Sequence, residues 1–284
     1  GYGALTANTT GYQNTAIGSN AMLANTEGYN NTAVGYAALD ANTTGDMNIA
    51  VGYHALSATT TANSNTAVGQ QAMQDNTTGY GNCAFGYQAL DNNTTAAYNT
   101  AVGYESCKAN TTGSSLVAVG KNALHDNTTG YNNTAVGYNA GASITTGNHN
   151  TAIGDQALDA ATTTSQNTCV GHTSLSACTG DKNTAMGCYT GSGLTTGSNN
   201  TIFGYHAMTA ATTAQYNIAI GSMALNAVTD SAENTAVGYH AGNLITTGDN
   251  NTCLGKSAGR SDSPSGSITT GSNNFVLGNN ATAN

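Results

Sequence analysis

The sequence predicts an all-β fold, a parallel β-solenoid built from 17-residue coils. Three observations carry the expectation: a repeat running along the chain, a column of β-branched residues beside a fixed glycine, and a composition too thin for a wide core. Of 284 residues 38% are hydrophobic, but much of that share is Ala; there are 36 Gly, one Pro and no Trp, and only 7% are charged. Such a chain lacks the Leu, Ile and Phe needed to fill the space between two broad layers, so a narrow cross-section follows.

The repeat unit reads Asn-Thr-Ala-Val-Gly-Tyr-x-Ala-Leu, then a polar turn such as Ala-Asn-Thr-Thr-Gly. Its central glycine recurs from Gly1, Gly18 and Gly35 through Gly137 and Gly204 to Gly255 and Gly278, and fourteen of the sixteen steps are 17 residues. One residue is missing around Cys178 to Gly180, and six are added around Arg260 to Gly266. Length changes confined to one part of the unit mark it as a surface loop. Residues 1–284 therefore read as a single repeat domain, with 256–284 an atypical last coil carrying an inserted loop. Because it opens in mid-pattern at Gly1, the chain reads as a piece of a longer fibre.

The three residues before each anchor form the predicted strand. The last is apolar, as in Ile17, Val34, Phe85, Met186 and Leu277; the first is mostly Thr (Thr15, Thr32, Thr66, Thr134), with Ile49, Val117, Ile218 or Phe275 in its place. β-Branched residues favour a strand, and period-two alternation puts these two columns on one face. We expect that face to be the inward one, burying Val34, Val51, Val68, Val102, Val136 and Val237. The intervening Ala column (Ala16, Ala33, Ala50, Ala67, Ala101) would then point out as an apolar stripe, and such a stripe predicts a parallel homotrimer in which three of them meet.

After the anchor, a small residue at the third place (Ala21, Ala38, Ala55) and Leu or Met at the fourth predict a second strand. Where the fourth place holds Gly141, Gly191 or Gly242, an apolar residue follows three places later as Ile144, Leu194 or Ile245, so the core contact has moved along the loop.

Four before the anchor lies the most regular column: Asn14, Asn31, Asn48, Asn65, Asn82, Asn99, Asn133, Asn150, Asn167, Asn183, Asn200, Asn217, Asn234, Asn251 and Asn274, broken by Leu116. Identical amides stacked at strand spacing can donate and accept along the axis, so a structural ladder is expected rather than a ligand site.

The stretch Asn31 to Ala38 resembles the head repeat of trimeric autotransporter adhesins, whose motif reads Ser-Val-Ala-Ile-Gly-x-x-Ser. Thr32 and Val34 match its two inward positions, Gly35 its turn and Ala38 its small residue. The unit also looks like repeats in the shafts of phage tail fibres, and the ending Asn273 to Thr282 is similar to closing head segments in both groups. The resemblance implies a left-handed parallel β-roll assembled as a trimer, and it transfers no binding residue.

Candidate chemistry is sparse. Asp40, Asp75, Asp91, Asp126 and Asp159 fall in the turn after Leu or Met and read as solvated turn acids, not as the paired carboxylates of a glycosidase. Asp75 and Asp91, in neighbouring loops, offer at most a weak cation contact. His54, His206 and His240 are isolated, and no local Ser-His-acid signature occurs. No catalysis, cofactor or metal is expected. Cys83, Cys107, Cys169 and Cys253 stand in ordinary repeat columns, with Cys178 and Cys188 near turns, and this irregular usage argues for unpaired thiols and assembly in a reducing compartment. The sequons at Asn8, Asn42, Asn76, Asn110 and Asn127 would accept glycans on a eukaryotic secretory route, or read as turns whose Asn and Gly take positive φ.

A formal charge of -9 with five Lys plus Arg excludes a basic stripe for nucleic acid, and no apolar run is long enough to insert in a membrane. The expected role is a structural fibre of a virion (a tail fibre) or of a cell surface, extracellular, self-associating, and touching a host glycan or protein. The alternative is an ice-binding solenoid, which should show a flat outward face of Thr-x-Thr ladders, whereas the strand here reads Thr-Ala-Val with Thr expected inward.

Overall fold

The computed structural model describes residues 1–260 and 266–278. Each repeat contributes one three-residue parallel strand, from β1 (Thr15–Ile17), β2 (Thr32–Val34) and β3 (Ile49–Val51) onward to β16 (Phe275–Leu277). The chain is an all-β solenoid of coils of about 17 residues. It forms two compact units, Gly1–Gly147 and Asn148–Asn284. The first holds β1 to β8 (Thr134–Val136) and the second β9 (Thr151–Ile153) to β16.

Within each unit successive strands pair in parallel and in register. Thr32, Ala33 and Val34 lie opposite Ile49, Ala50 and Val51 in the first, and Thr201, Ile202 and Phe203 opposite Ile218, Ala219 and Ile220 in the second. The shortened coil keeps Thr168 opposite Thr184, and the lengthened one keeps Thr252 opposite Phe275. Both length changes are thus absorbed outside the strand. Residues 261–265 of the expected inserted loop, and 279–282 of the closing segment, lie outside the described residues.

The strand faces are the reverse of the expectation. Ala33, Ala50, Ala67 and Ala101 are fully buried, whereas Val102 and Val237 are 37% and 36% exposed and Val34, Val51, Val68 and Val136 are half-buried on the outside. Alternation says which residues share a face, and cross-section decides which face is the lumen. Opposite the strand the lumen is already filled by Leu39, Leu56 or Met73 and by buried Asn side chains, which leaves room for little more than a methyl. The Ala stripe on which the sequence-based trimer rested is therefore interior.

Among the described residues no second strand forms after the anchor. The residues two and four places on adopt left-handed backbone, as at Ala37 (φ 51) and Leu39 (φ 55), and turn the chain while Ala38 and Leu39 point into the lumen. The anchor itself must be glycine: Gly35 sits at φ 138, and a Cβ there would press into the backbone carbonyl of Gly52 in the next coil.

Left-handed backbone at the fourth place explains why glycine replaces Leu there at no conformational cost. Gly141, Gly191 and Gly242 have φ 56, 59 and 60. The space each leaves is taken by neighbours, since a Cβ on Gly141 would come 3.0 Å from Ile144 Cδ1, and one on Gly191 3.0 Å from Ile202 Cδ1. Where the seventh place is small, as at Ala161 and Ala211, the fourth keeps Leu158 and Met208. The replacement of Leu by Gly141, Gly191 and Gly242 is thus an exchange of volume between two lumen positions.

Candidate interaction face

The amide column lies inside the coils. Asn31 is fully buried; its N–H donates to Asn14 Oδ1 at 2.9 Å, its Nδ2 donates to Gly45 O at 2.8 Å, and its Oδ1 accepts the Asn48 N–H at 2.9 Å. The pattern repeats at Asn65, Asn82, Asn167, Asn217 and Asn251, while Asn14 and Asn274 at the ends are half-buried. At the break in the column, the Leu116 N–H still donates to Asn99 Oδ1 at 2.9 Å, and its buried side chain joins the lumen. Each amide satisfies a strand-end N–H and a turn carbonyl that water cannot reach.

A second amide ladder runs beside it in the first unit. Asn25, Asn42, Asn76, Asn93, Asn110 and Asn127 are fully buried, and Nδ2 of Asn110, for example, donates to Asn93 Oδ1 at 2.9 Å and to Gly113 O at 3.0 Å. These are the Asn of the Asn-Thr-Thr-Gly turn, so Asn42, Asn76, Asn110 and Asn127 are closed to glycans and, contrary to expectation, neither they nor the turn glycines take positive φ. A Cβ on Gly45 would meet the carbonyl of Ala62, but Ala62 and Ala96 hold the same place in their own coils, so proximity favours glycine there without requiring it. Recurrence of the Asn in most coils of the first unit, with Thr59 in its place once, was the signal that separated it from an ordinary turn residue.

With amides and Ala inside, the strand turns its Thr and Val/Ile columns outward. Thr32, Thr66, Thr100 and Thr134 stand beside Val34, Val68, Val102 and Val136 in the first unit, and Thr151, Thr201 and Thr235 beside Ile153, Phe203 and Val237 in the second, without a charged residue in either column. Larger apolar groups also project, namely Ile49, Phe85, Met186 and Ile220. Next to this face runs an aromatic column just past the anchor: Tyr36 stacks on Tyr53 with centroids 5.4 Å apart and Tyr87 on Tyr104 at 5.1 Å, while Lys121 Nζ lies 5.6 Å from the Tyr104 ring.

Charge gathers on another side of the first unit. Asp91 is 8% exposed, and burial, with Asp75 adding repulsion, raises its pKa to about 6 against the attraction of Lys108. Burial also raises Asp40 and Asp159 above the usual carboxylate range. In the second unit, burial and then the Arg260 guanidinium lower His240, which also contacts Asn243 Nδ2 at 2.7 Å. Among the described residues no three His, Cys, Asp or Glu are grouped to hold a metal ion, and no helix is long and apolar enough to cross a membrane. All six cysteines are free thiols; burial raises Cys178 and Cys253 to about 11.

Compared with family models the chain matches none, and no curated protein matches it in sequence.

Proposed function

We propose that the chain is a structural element of a virion or cell-surface fibre, a stiff spacer wound as a left-handed β-roll that works as a parallel homotrimer and presents an attachment surface to a host. The observation that supports this reading is the outward Thr and Val/Ile face, which recurs on every strand of both units without a charge. Scattered exposed apolar residues need no explanation, but two continuous columns on eight successive strands make a patch that monomeric proteins seldom leave in water. Parallel copies around a threefold axis set like columns against like and bury all three faces. The Tyr column at the edge of the face stays outside such a core, where aromatic rings can meet a host glycan or protein.

The outward Thr column favours a second reading, ice binding, because hydroxyls repeat at the strand spacing of roughly 4.8 Å on an uncharged sheet. Phe85, Met186 and Phe203 interrupt that sheet's flatness, and so the fibre reading is preferred. Sedimentation or mass photometry decides between them. We expect a mass near three times the 28.4 kDa chain, falling to that of one chain in a Val102→Asp, Val136→Asp double variant whose circular dichroism is unchanged. A wild-type monomer would refute the fibre reading, and thermal hysteresis in that monomer would establish the second.

A further inference from the structure

The place just after the anchor glycine varies from coil to coil, holding Tyr36, Ser19, Gln70 or Lys121. In three successive coils of the second unit it holds Asp155, His172 and Cys188. The strands before them, β9, β10 (Thr168–Val170) and β11 (Thr184–Met186), stay in register, so the shortened coil does not throw the three out of line. Backbone bonds fix the row on both sides: Gly171 N–H to Ile153 O at 2.7 Å and Gly187 N–H to Val170 O at 2.8 Å before it, Thr173 N–H to Asp155 O and Tyr189 N–H to His172 O, each at 2.9 Å, after it.

The side chains then meet in chemical order. Cys188 Sγ lies 3.9 Å from His172 Nδ1, and His172 Nε2 lies 3.7 Å from Asp155 Oδ2. The Tyr189 ring stands edge-on to the imidazole, centroids 5.1 Å apart, which limits its rotation. His172 and Asp155 are 42% and 48% exposed and Cys188 is half-buried, so a reagent can reach the sulfur. Cys107, Cys169, Cys178 and Cys253, by contrast, are buried.

We propose that Cys188 is a site of covalent modification by α,β-unsaturated carbonyl compounds, with His172 as its base and Asp155 positioning the imidazole. The Nδ1 lone pair takes the thiol proton, while the Asp155 carboxylate, 3.7 Å from Nε2, offsets the charge of the imidazolium. The thiolate forms a C–S bond to the β-carbon, the π pair moves toward the carbonyl, and the imidazolium returns its proton to the α-carbon. All atoms end in one adduct, with no leaving group and no oxidant.

N-Ethylmaleimide is the probe, with peptide mass spectrometry following Cys188 and, as an internal reference, half-buried Cys83 in the other unit. Near neutral pH Cys188 should label roughly tenfold faster in the wild type than in His172→Asn, and several-fold faster than in Asp155→Asn. An unchanged Cys83 rate shows that the fold is kept; the column already accepts Tyr, Ser, Gln and Lys. Equal Cys188 rates in wild type and His172→Asn overturn the proposal. If that variant also alters Cys83, Asp155→Asn decides: slower labelling supports the proposal and equal labelling overturns it.

Discussion

Asn82 and Asn200 hold the same place in their coils, but the groups that depend on them differ. Asn82 Nδ2 donates to Ala96 O at 2.9 Å, and that carbonyl also receives Asn93 Nδ2 of the second ladder at 3.2 Å. Asn200 Nδ2 donates to Ala214 O at 2.8 Å, where the second ladder is replaced by apolar side chains and no other donor is recorded among the described residues. Each amide oxygen also accepts the next strand's N–H, from Asn99 at 2.9 Å and from Asn217 at 3.0 Å. Asn82→Ala therefore orphans one buried backbone group, and Asn200→Ala orphans two. At about 1–3 kcal/mol for each unsatisfied buried group, Asn82→Ala should cost about 1–3 kcal/mol and Asn200→Ala about 2–6 kcal/mol, beyond a cavity cost common to both.

Solenoid coils can unfold in parts, so a single melting midpoint is the wrong readout. Native-state hydrogen exchange resolves the effect locally. The Asn217 amide should lose more protection in Asn200→Ala than the Asn99 amide loses in Asn82→Ala, by a factor of about ten for each ~1.4 kcal/mol of difference. Equal loss at the two sites would show that the second ladder supplies no redundancy and would refute the reasoning.

Asp91, raised to about 6, favours folding in its protonated form; that contribution is complete below the normal carboxylate pKa and fades as pH climbs from about 4 through 6. Asp91→Asn should therefore stabilise the first unit at pH 7.5, by about 1 kcal/mol after solvent screening on its open side, and make no difference at pH 3.5, as read by urea denaturation at the two values. Thr173 is a β-branched residue held at φ 50 with its hydroxyl buried and unpartnered, whereas Asn122 and Asn139 occupy the matching place at φ 57 and 52. Thr173→Asn should raise stability by about 1 kcal/mol in the same assay. Ala101→Val overfills the lumen and should cost about 1–3 kcal/mol, while the neighbouring Val102→Asp, with its side chain outside the coil, should leave the β circular-dichroism signal intact; loss of that signal in Val102→Asp would contradict the observed strand faces.

Period, parallel pairing and the buried Asn column were legible because a coil that returns the chain to the same point must repeat whatever meets its neighbours there. The strand faces were not legible from alternation, which is symmetric between Thr32 and Val34 on one side and Ala33 on the other. Volume carried the missing information. The last strand residue ranges from Val34 to Phe85 and Met186, a spread a narrow lumen could not absorb, while the middle one stays at Ala or Cys apart from Ile202 and Val276. Ile202 fits because Gly191 stands beside it. The second ladder was hidden because its Asn sits in a stretch that reads as a polar turn, although turn residues facing solvent have no reason to recur as Asn42, Asn76, Asn110 and Asn127. Inverting the faces also changes what any self-association would rest on. An Ala stripe offers little area to bury, but Val102, Ile153 and Phe203 each offer several times more, at about 25 cal/mol per Å² of apolar surface removed from water. The proposed assembly thus passes from the small residues to the large ones, and with them to Val102 and Val136 as the positions where one charge in each should separate the copies.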